Sequence, residues 1–310
     1  MYCLSPYVRR NGKSPQNKQR YLCLSCQRSF LWKSSKTLEE RRYNWFKLWI
    51  TEGYSVRKLS NIKRTSQSTV KRVIRYWLSQ SPKEDQGDLS GTKHIIVDGS
   101  FLKRPRGIYA AMDSETHKLI YAEVNVRESS EDLARFYSKL SDAGLRPESA
   151  TTDGNTAQTR QLKNCWPDIK LQRCIVHVQR QGLSWCRRNP KRTDAKHLRE
   201  LLLKLTEVKT KDDSLRFTKG FYAWEKRFGT GIESSPNRGW VFTDIVRARS
   251  MVTKALPNLF HYVDNPKIAR STNALEGYFS RVKEHYRLHR GLSKKNKVNY
   301  FKWYFYLKPK

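Results

Sequence analysis

From residue 93 onward, short apolar runs bounded by polar residues predict β-strands. Two of these runs flank a polar turn, as in a hairpin, and a segment with helical spacing, 131–143, precedes the fourth strand. This order of strands and helices predicts a mixed α/β layer. The strand candidates are 94–97, 107–112, 119–126, 149–152 and 170–177.

Residues 178–268 lose the strand pattern and show helical runs such as 198–205 and 217–228. A further helix then begins at Thr272. We therefore predict an all-helical insertion within the α/β domain.

The N-terminal part of the chain has a helical pattern. Apolar and aromatic residues at 45–50 predict one helix, Ser55 can cap a short second helix, and Thr65 or Ser66 can cap a third. Three short helices with a tight turn before the last are typical of a helix-turn-helix.

The charge of the chain predicts a polyanionic partner. The 310 residues include 62 Lys and Arg against 28 Asp and Glu, a formal net charge of +34, and such a balance favours a polyanion. With 37% hydrophobic and 12% aromatic residues, the chain has too much core material for a disordered basic tail. We therefore expect the charge to coat folded domains.

Three of the six cysteines lie within the first 26 positions, which favours metal ligands in a reducing compartment over a disulfide scaffold. Cys23-Leu-Ser-Cys26 resembles the second knuckle of a zinc ribbon, and Cys3 would belong to the first. A closed zinc site needs two such pairs. Either an earlier start codon supplies a cysteine three residues before Cys3, or the site is incomplete. The alternative is a small basic hairpin with reduced, unliganded cysteines.

These patterns predict the domain organisation and the compartment. No stretch approaches the roughly 18 apolar residues of a membrane span, so we expect a cytoplasmic, nucleoid-associated protein without a membrane partner. The predicted parts are a zinc-ribbon-like segment at 1–34, a helix-turn-helix domain at 35–82, a polar linker at 83–92, and an α/β domain at 93–310 with its insertion at 178–268.

Two aspartates follow predicted strands, and each is followed by glycine. Asp98 comes after the first strand and Asp153 after the fourth, and strand ends are where sites gather. Because a buried carboxylate must be paired, protonated or metal-bound, two carboxylates at adjacent strand ends imply a hard cation. The alternative for either residue alone is an ordinary Asp-Gly turn.

A third carboxylate, Glu276, lies on the helix that begins at Thr272. Its spacing places it on one helix face with other polar side chains. The alternative is a solvated amphipathic helix. The other residues of this face are Thr272, Asn273, Ser280 and Lys283.

Four motifs, in this order, resemble those of the Mutator-like class of bacterial insertion-sequence transposases, which belong to the Asp-Asp-Glu transposases. The resemblance covers roughly residues 93 to 300. The motifs are Val97-Asp98-Gly99, Thr152-Asp153-Gly154-Asn155, Arg173-Cys174-Ile-Val-His177 and Asn273-Ala-Leu-Glu276, the last followed by Arg281 and Gly291.

The resemblance implies a ribonuclease-H-like fold and phosphodiester chemistry with two metal ions, Mg²⁺ or Mn²⁺, held by Asp98, Asp153 and Glu276. Two cations about 3.5–4 Å apart stabilise both the attacking and the leaving oxygen of an in-line displacement. Mg²⁺ suits such a site because it takes few carboxylates and keeps several waters.

The resemblance also implies that Cys174 and His177 brace the active site from the end of a strand. Asn273 and Arg281 belong to the same motifs as further supporting residues. Two alternatives stay open: zinc ligation by Cys174 and His177, and a plain core position for the cysteine.

We therefore predict a DNA transposase that binds the terminal inverted repeats of an insertion sequence, cleaves the element ends and joins the freed 3′-hydroxyl to target DNA. Its partner is double-stranded DNA, on which we expect a homo-oligomer. One alternative is a sequence-specific DNA-binding regulator or an inactive transposase derivative, and another is a structure-specific nuclease that cleaves without joining.

End recognition is expected from residues 1–80 alone, through the third helix. The insertion tryptophans Trp224 and Trp240 are candidates to stack on an unpaired base near the cleavage site, whereas most aromatic residues after position 299 are expected to pack in the core. The residues expected nearest the bases are Ser68, Thr69, Lys71 and Arg72.

Overall fold

The structure is a computed structural model that describes residues 5–32, 35–83, 87–103, 106–234, 240–289 and 291–308. The chain forms two compact units, Met1–Ser81 and Pro82–Lys310, here called unit 1 and unit 2. No helix in the described ranges is long and apolar enough to cross a membrane.

Unit 1 contains a three-stranded antiparallel sheet, of order β1-β2-β3, followed by three helices. Its strands are β1 (Val8–Lys13), β2 (Gln19–Cys23) and β3 (Ser29–Leu31), and its helices are α1 (Ser35–Glu52), α2 (Val56–Ile62) and α3 (Gln67–Leu78).

Serine side chains cap the two shorter helices of unit 1. Ser55 Oγ accepts a hydrogen bond from the Lys58 amide at 3.1 Å, and Ser66 Oγ accepts one from the Thr69 amide at 3.2 Å. Ser66, rather than Thr65, therefore caps α3. Helix α3 packs against both α1 and α2, because its apolar residues share one face.

Unit 2 is built on a five-stranded mixed sheet, as the pattern of apolar runs predicts. Three strands form an antiparallel meander, two more run parallel to β4, and the order is β6-β5-β4-β7-β8. The prediction of a mixed α/β layer is confirmed. The strands are β4 (His94–Lys103), β5 (Arg106–Asp113), β6 (Leu119–Val126), β7 (Ser149–Thr152) and β8 (Lys170–Arg173).

Helices pack on this sheet. Helices α4 (Ser130–Asp142) and α5 (Thr156–Cys165) share a buried core with residues of β4, including Ile95 and Val97. Helix α11 (Asn273–Arg287) packs against β4 and α12 (Lys294–Leu307) against β6. Most aromatic residues of α12 are buried, as expected: Tyr300, Phe301, Trp303, Tyr304 and Phe305.

The fifth strand is shorter than the sequence pattern predicts. Strand β8 ends at Arg173 and helix α6 begins at Ile175, so the prediction of a strand over 170–177 is wrong beyond Arg173. Ile175, Val178 and Gly182 are buried at helical spacing. The apolar residues that resemble a strand are therefore one buried face of a helix.

The segment between β8 and α11 is helical in its described residues and has a core of its own. Trp224 is buried in this core, and its indole N–H donates to the Asp194 carbonyl at 2.8 Å. A base therefore has no access to this indole, which corrects the expectation of stacking; the Trp240 side chain lies outside the described residues. The helices are α6 (Ile175–Cys186), α7 (Thr193–Leu203), α8 (Lys211–Ser234), α9 (Trp240–Ala255) and α10 (His261–Asp264).

Burial predicts which leucines hold unit 2 together. Leu133 of α4 is fully buried in the core beneath the sheet, whereas Leu203 of α7 is 45% exposed. We expect Leu133→Ala to lower the free energy of unfolding by about 2–5 kcal/mol, because it removes buried methyl groups and leaves a cavity. Leu203→Ala is the matched control, with an expected change within about 0.5 kcal/mol. Urea denaturation measures both, and equal losses would contradict this description of the core.

Candidate active site

Two carboxylates lie side by side at the end of two parallel strands. The pairing of β4 with β7 aligns His94 with Ser149 and Ile96 with Thr151. Continued by two residues, this register brings Asp98 opposite Asp153, the residue that follows β7. Since side chains alternate along a strand and Val97 points into the core under α4 and α5, Asp98 lies on the other face of the sheet.

The electrostatics of the site centre on Asp98, which is 9% exposed. Burial and the nearby charge of Asp153 raise the pKa of Asp98 to about 7, against its ordinary value of 3.8. The Gly99 amide donates to Asp98 Oδ1 at 2.8 Å, which favours the charged form but does not offset the other two effects. Ionising Asp98 beside Asp153 is therefore unfavourable.

The turn after β7 holds Asp153 in place. Asp153 Oδ1 accepts a hydrogen bond from the Asn155 amide at 2.9 Å, and the Asn155 side chain caps α5. Gly154 has a φ of +82° and its carbonyl accepts from the Arg173 guanidinium at 2.8 Å. A Cβ at this position would overlap that guanidinium, so glycine is required here.

Glu276 reaches the site from α11, which packs against β4. Its carboxylate lies 3.2 Å from Thr272 Oγ1, 3.7 Å from His177 Nε2 and 3.9 Å from Arg180 NH1. Its charge also contributes to the raised pKa of Asp98, although less than that of Asp153. Glu276 is therefore near enough to act on the charge of Asp98, while its carboxylate is held by Thr272, His177 and Arg180.

Cys174 and His177 form the link between α6 and α11. Cys174 is buried, and its sulfur accepts a hydrogen bond from the Thr272 amide at 3.3 Å. A hydrogen bond with Cys174 raises the pKa of His177 to about 9. Burial alone would raise the pKa of Cys174, but its hydrogen bonds with His177 and Thr272 outweigh this and lower it. Cys174 directly follows the last residue of β8, and His177 lies in the first turn of α6. Their role in bracing the site stays a prediction.

The structure does not bring every expected residue to the carboxylates. Arg281 is exposed, and its guanidinium lies 6.0 Å from the ring of Tyr278. Asn273 is the exposed first residue of α11, and its backbone amide donates to Ser271 Oγ at 3.4 Å. Supporting roles for Asn273 and Arg281 stay predictions.

In unit 1, the expected DNA-contacting residues lie on the first turns of α3. Ser68, Lys71 and Arg72 are exposed, and Thr69 is half-buried. Among the expected zinc ligands, Cys23 is buried at the end of β2 and Cys26 is half-buried in the following turn. Cys3 lies outside the described residues.

Sequence reasoning missed three residues of this pocket. Glu128, Tyr109 and Gln158 line the same small pocket as Asp98 and Asp153. The Glu128 carboxylate lies in the space that a side chain on Gly99 would enter. Glu128 follows a predicted strand, a signal that could have drawn attention to it, whereas Gln158 has no local signal.

The raised pKa of Asp98 predicts a pH-dependent stability in the absence of divalent metal. The Asp98 carboxyl keeps its proton up to about pH 7 in the folded protein and releases it near pH 3.8 in the unfolded chain. The stability that the protonated carboxyl adds to the fold is therefore fully present below pH 3.8, and it is lost as the pH rises to about 7. We expect Asp98→Asn to gain on the wild type by up to about 1.4 kcal/mol per pH unit in this window.

Urea denaturation in a metal chelator, repeated from pH 4 to pH 8, measures this gain. Asp168→Asn, at an exposed loop position, is the control and is expected to follow the wild type. Parallel pH profiles for Asp98→Asn and the wild type would contradict the electrostatic description of the pair.

Residues 99–228, which are 130 of the 310 residues, match the family model described as "Transposase, Mutator family". No curated protein matches the chain. The matched segment contains Asp153, Cys174 and His177, begins immediately after Asp98 and ends before Glu276. The resemblance of this chain to Mutator-family transposases is thereby confirmed, and the match supports a transposase role.

Proposed function

We propose that this protein is a transposase that binds the terminal inverted repeats of a mobile element, cleaves the phosphodiester at each element end and joins the 3′-hydroxyl to target DNA. The observation that carries the proposal is the pair of adjacent carboxylates, Asp98 and Asp153, with the raised pKa of Asp98. Such a pair is costly to bury unless a cation neutralises it.

The donor chemistry of the site fits a hard divalent cation such as Mg²⁺ or Mn²⁺. Its oxygens are carboxylates, the ligands that these ions prefer. Within the described ranges, no three His, Cys, Asp or Glu side chains are already close enough together to hold a metal ion. Asp98 and Asp153 would hold it from the sheet. A pair of such cations, if held there, would supply the positive charge that stabilises the attacking and leaving oxygens of a phosphodiester.

Glu276 would complete this donor set from α11. Its ion pairs with His177 and Arg180 are long, at 3.7 and 3.9 Å, and its side chain is 33% exposed. Ion pairs of this kind contribute little, so a cation between the aspartates competes well for the carboxylate. His177 and Thr272 would then fix the start of α11 and keep Glu276 within reach.

Two further observations support the proposal. The strand order, with a three-stranded meander and two parallel strands, supports the ribonuclease-H-like fold. The first 80 residues carry 18 basic and 3 acidic side chains, which supports unit 1 as the part that binds the element ends through a helix-turn-helix. In this proposal Cys3, Cys23 and Cys26 are three of the four ligands that a closed Zn²⁺ site needs, and the protein acts on DNA as a homo-oligomer.

The proposal predicts the effect of neutralising each carboxylate. We expect Asp98→Asn, Asp153→Asn and Glu276→Gln each to reduce Mg²⁺-dependent cleavage of element-end DNA to background, because each removes one anionic ligand and little volume. Binding to the ends is expected to persist. Asp168→Asn, at the exposed loop, is the control that keeps activity.

Gel assays on DNA carrying the inverted repeats measure cleavage, joining and binding separately. Near wild-type cleavage by any of the three variants would remove that residue from the metal site. Cleavage by the wild type without any joined product would favour the nuclease alternative.

If unit 1 recognises the element ends through α3, replacing two of its lysines should affect DNA binding differently. Lys71 lies on the exposed face of α3 and Lys18 is exposed before β2. If α3 reads bases, Lys71→Ala should cost about 1–3 kcal/mol of discrimination between the inverted repeat and unrelated DNA. Lys18→Ala should weaken binding to both DNAs equally and make it less salt-dependent. Fluorescence anisotropy at several salt concentrations measures both, and equal discrimination by the two variants would contradict base reading by α3.

A further inference from the structure

One buried side chain connects the two strands that carry the aspartates. Gln158, near the start of α5, is 3% exposed. Its amide nitrogen donates to the Val97 carbonyl at 3.3 Å and to the Tyr109 hydroxyl. Its carbonyl oxygen accepts a hydrogen bond from the Thr152 hydroxyl. A single amide therefore contacts β4, β5 and β7.

Two of these partners, Val97 and Thr152, lie next to the aspartates in the sequence. Val97 immediately precedes Asp98, and Thr152 immediately precedes Asp153. The aligned pairs of β4 and β7 run from His94 with Ser149 to Ile96 with Thr151. Gln158 bridges the next residue of each strand, so it continues the connection up to the two carboxylates.

Neighbouring groups fix the orientation of this amide. The Gly154 amide donates to Thr152 Oγ1 at 3.1 Å, and the Thr152 hydroxyl donates to Gln158 and, at the longer distance of 3.4 Å, to Asp153 Oδ1. On the other side, the Tyr109 hydroxyl lies 2.6 Å from that of Tyr137, and both tyrosines are buried. A rotated amide would place its NH₂ group against the Thr152 hydroxyl and its oxygen against the Val97 carbonyl. The network therefore permits one orientation.

A polar side chain is an expensive choice for this position. Burying an amide costs free energy that its hydrogen bonds only offset, and an apolar side chain of similar volume would fill the same space. The amide instead adds a defined distance between two strand ends. The groups whose separation depends on that distance are Asp98 and Asp153 at the two strand ends.

We propose that Gln158 is a positioning residue that sets the separation of Asp98 and Asp153, and thereby the affinity of the site for a divalent cation. This inference rests on the proposed function. Gln158 acts through the backbone of the residues before each aspartate and does not itself touch the cation.

A second buried glutamine provides a matched control. Gln172 of β8 is fully buried, and its amide nitrogen donates to the Leu259 carbonyl at 2.7 Å. Its oxygen accepts from the Tyr262 amide at 3.4 Å. Gln172 thus ties the sheet to the helical insertion, whereas Gln158 ties together the strands of the aspartates. Replacing either glutamine by methionine removes one buried amide and keeps the side-chain length.

The experiment compares Gln158→Met, Gln172→Met and the wild type as full-length chains. Calorimetric titration with Mn²⁺ gives the Kd for the metal, and cleavage of element-end DNA at increasing Mn²⁺ gives the half-maximal concentration and the rate at saturation. We expect Gln158→Met to raise both metal constants about tenfold or more, the usual effect of removing a group that orients metal ligands. At saturating Mn²⁺ its rate should recover most of the loss. Gln172→Met should leave both metal constants unchanged.

Tyr109→Phe is a second test that does not depend on the folding of Gln158→Met. It removes only the hydroxyl that accepts from Gln158, so we expect a smaller shift in the same direction. Unchanged Mn²⁺ affinity in both Gln158→Met and Tyr109→Phe would overturn the positioning role and leave the proposed function intact. An equal loss of affinity in Gln172→Met would also overturn it, because the effect would then be one of general stability. Absence of Mn²⁺ binding by the wild type would instead overturn the metal site and the positioning role together.

Discussion

The buried repulsion between Asp98 and Asp153 is the constraint on which the rest of unit 2 depends. Two carboxylates at adjacent strand ends push apart, and burial removes the water that would screen them. The surroundings hold them together nonetheless. Gly154 lets the second strand turn sharply, and Arg173 fills the space beneath that turn with a positive charge near Asp153. The free energy that holds this pair in place comes from the apolar core under α4 and α5.

The third carboxylate, Glu276, must be brought to the sheet from a distant part of the chain. Glu276 lies far beyond Asp153 in sequence, and a separate helical core intervenes. Contacts where this segment leaves and rejoins the sheet domain close that gap: the Ile175 amide donates to the Arg270 carbonyl at 3.1 Å, and the Thr272 amide donates to Cys174 Sγ at 3.3 Å. Cys174 thus connects the start of the helical segment to its end, and this connection gives the cysteine and histidine pair a structural role.

The sequence predicted those features whose cause is local. Apolar runs locate the strands, and Asp98 and Asp153 stand out because each follows such a run and precedes a glycine. The end of β8 was predicted too late, because Ile175 and Val176 extend an apolar run whose helical periodicity becomes visible only over the next two turns. Gln158 was missed for a different reason: its partners lie 6, 49 and 61 residues away. No local pattern distinguishes a buried glutamine from an exposed one.

The overall charge and the charge of the site have opposite signs, and in the proposed function this opposition separates DNA binding from catalysis. A net charge of +34 attracts DNA without any metal. Asp98, Asp153 and Glu276, however, repel a phosphate that approaches them, and the repulsion is strongest once Asp98 is ionised, above about pH 7. In the proposed function, a bound divalent cation would reverse the sign of the charge in this small region only. In the proposed function, the chain would therefore hold DNA in a state that cannot be cleaved until a divalent cation completes the site.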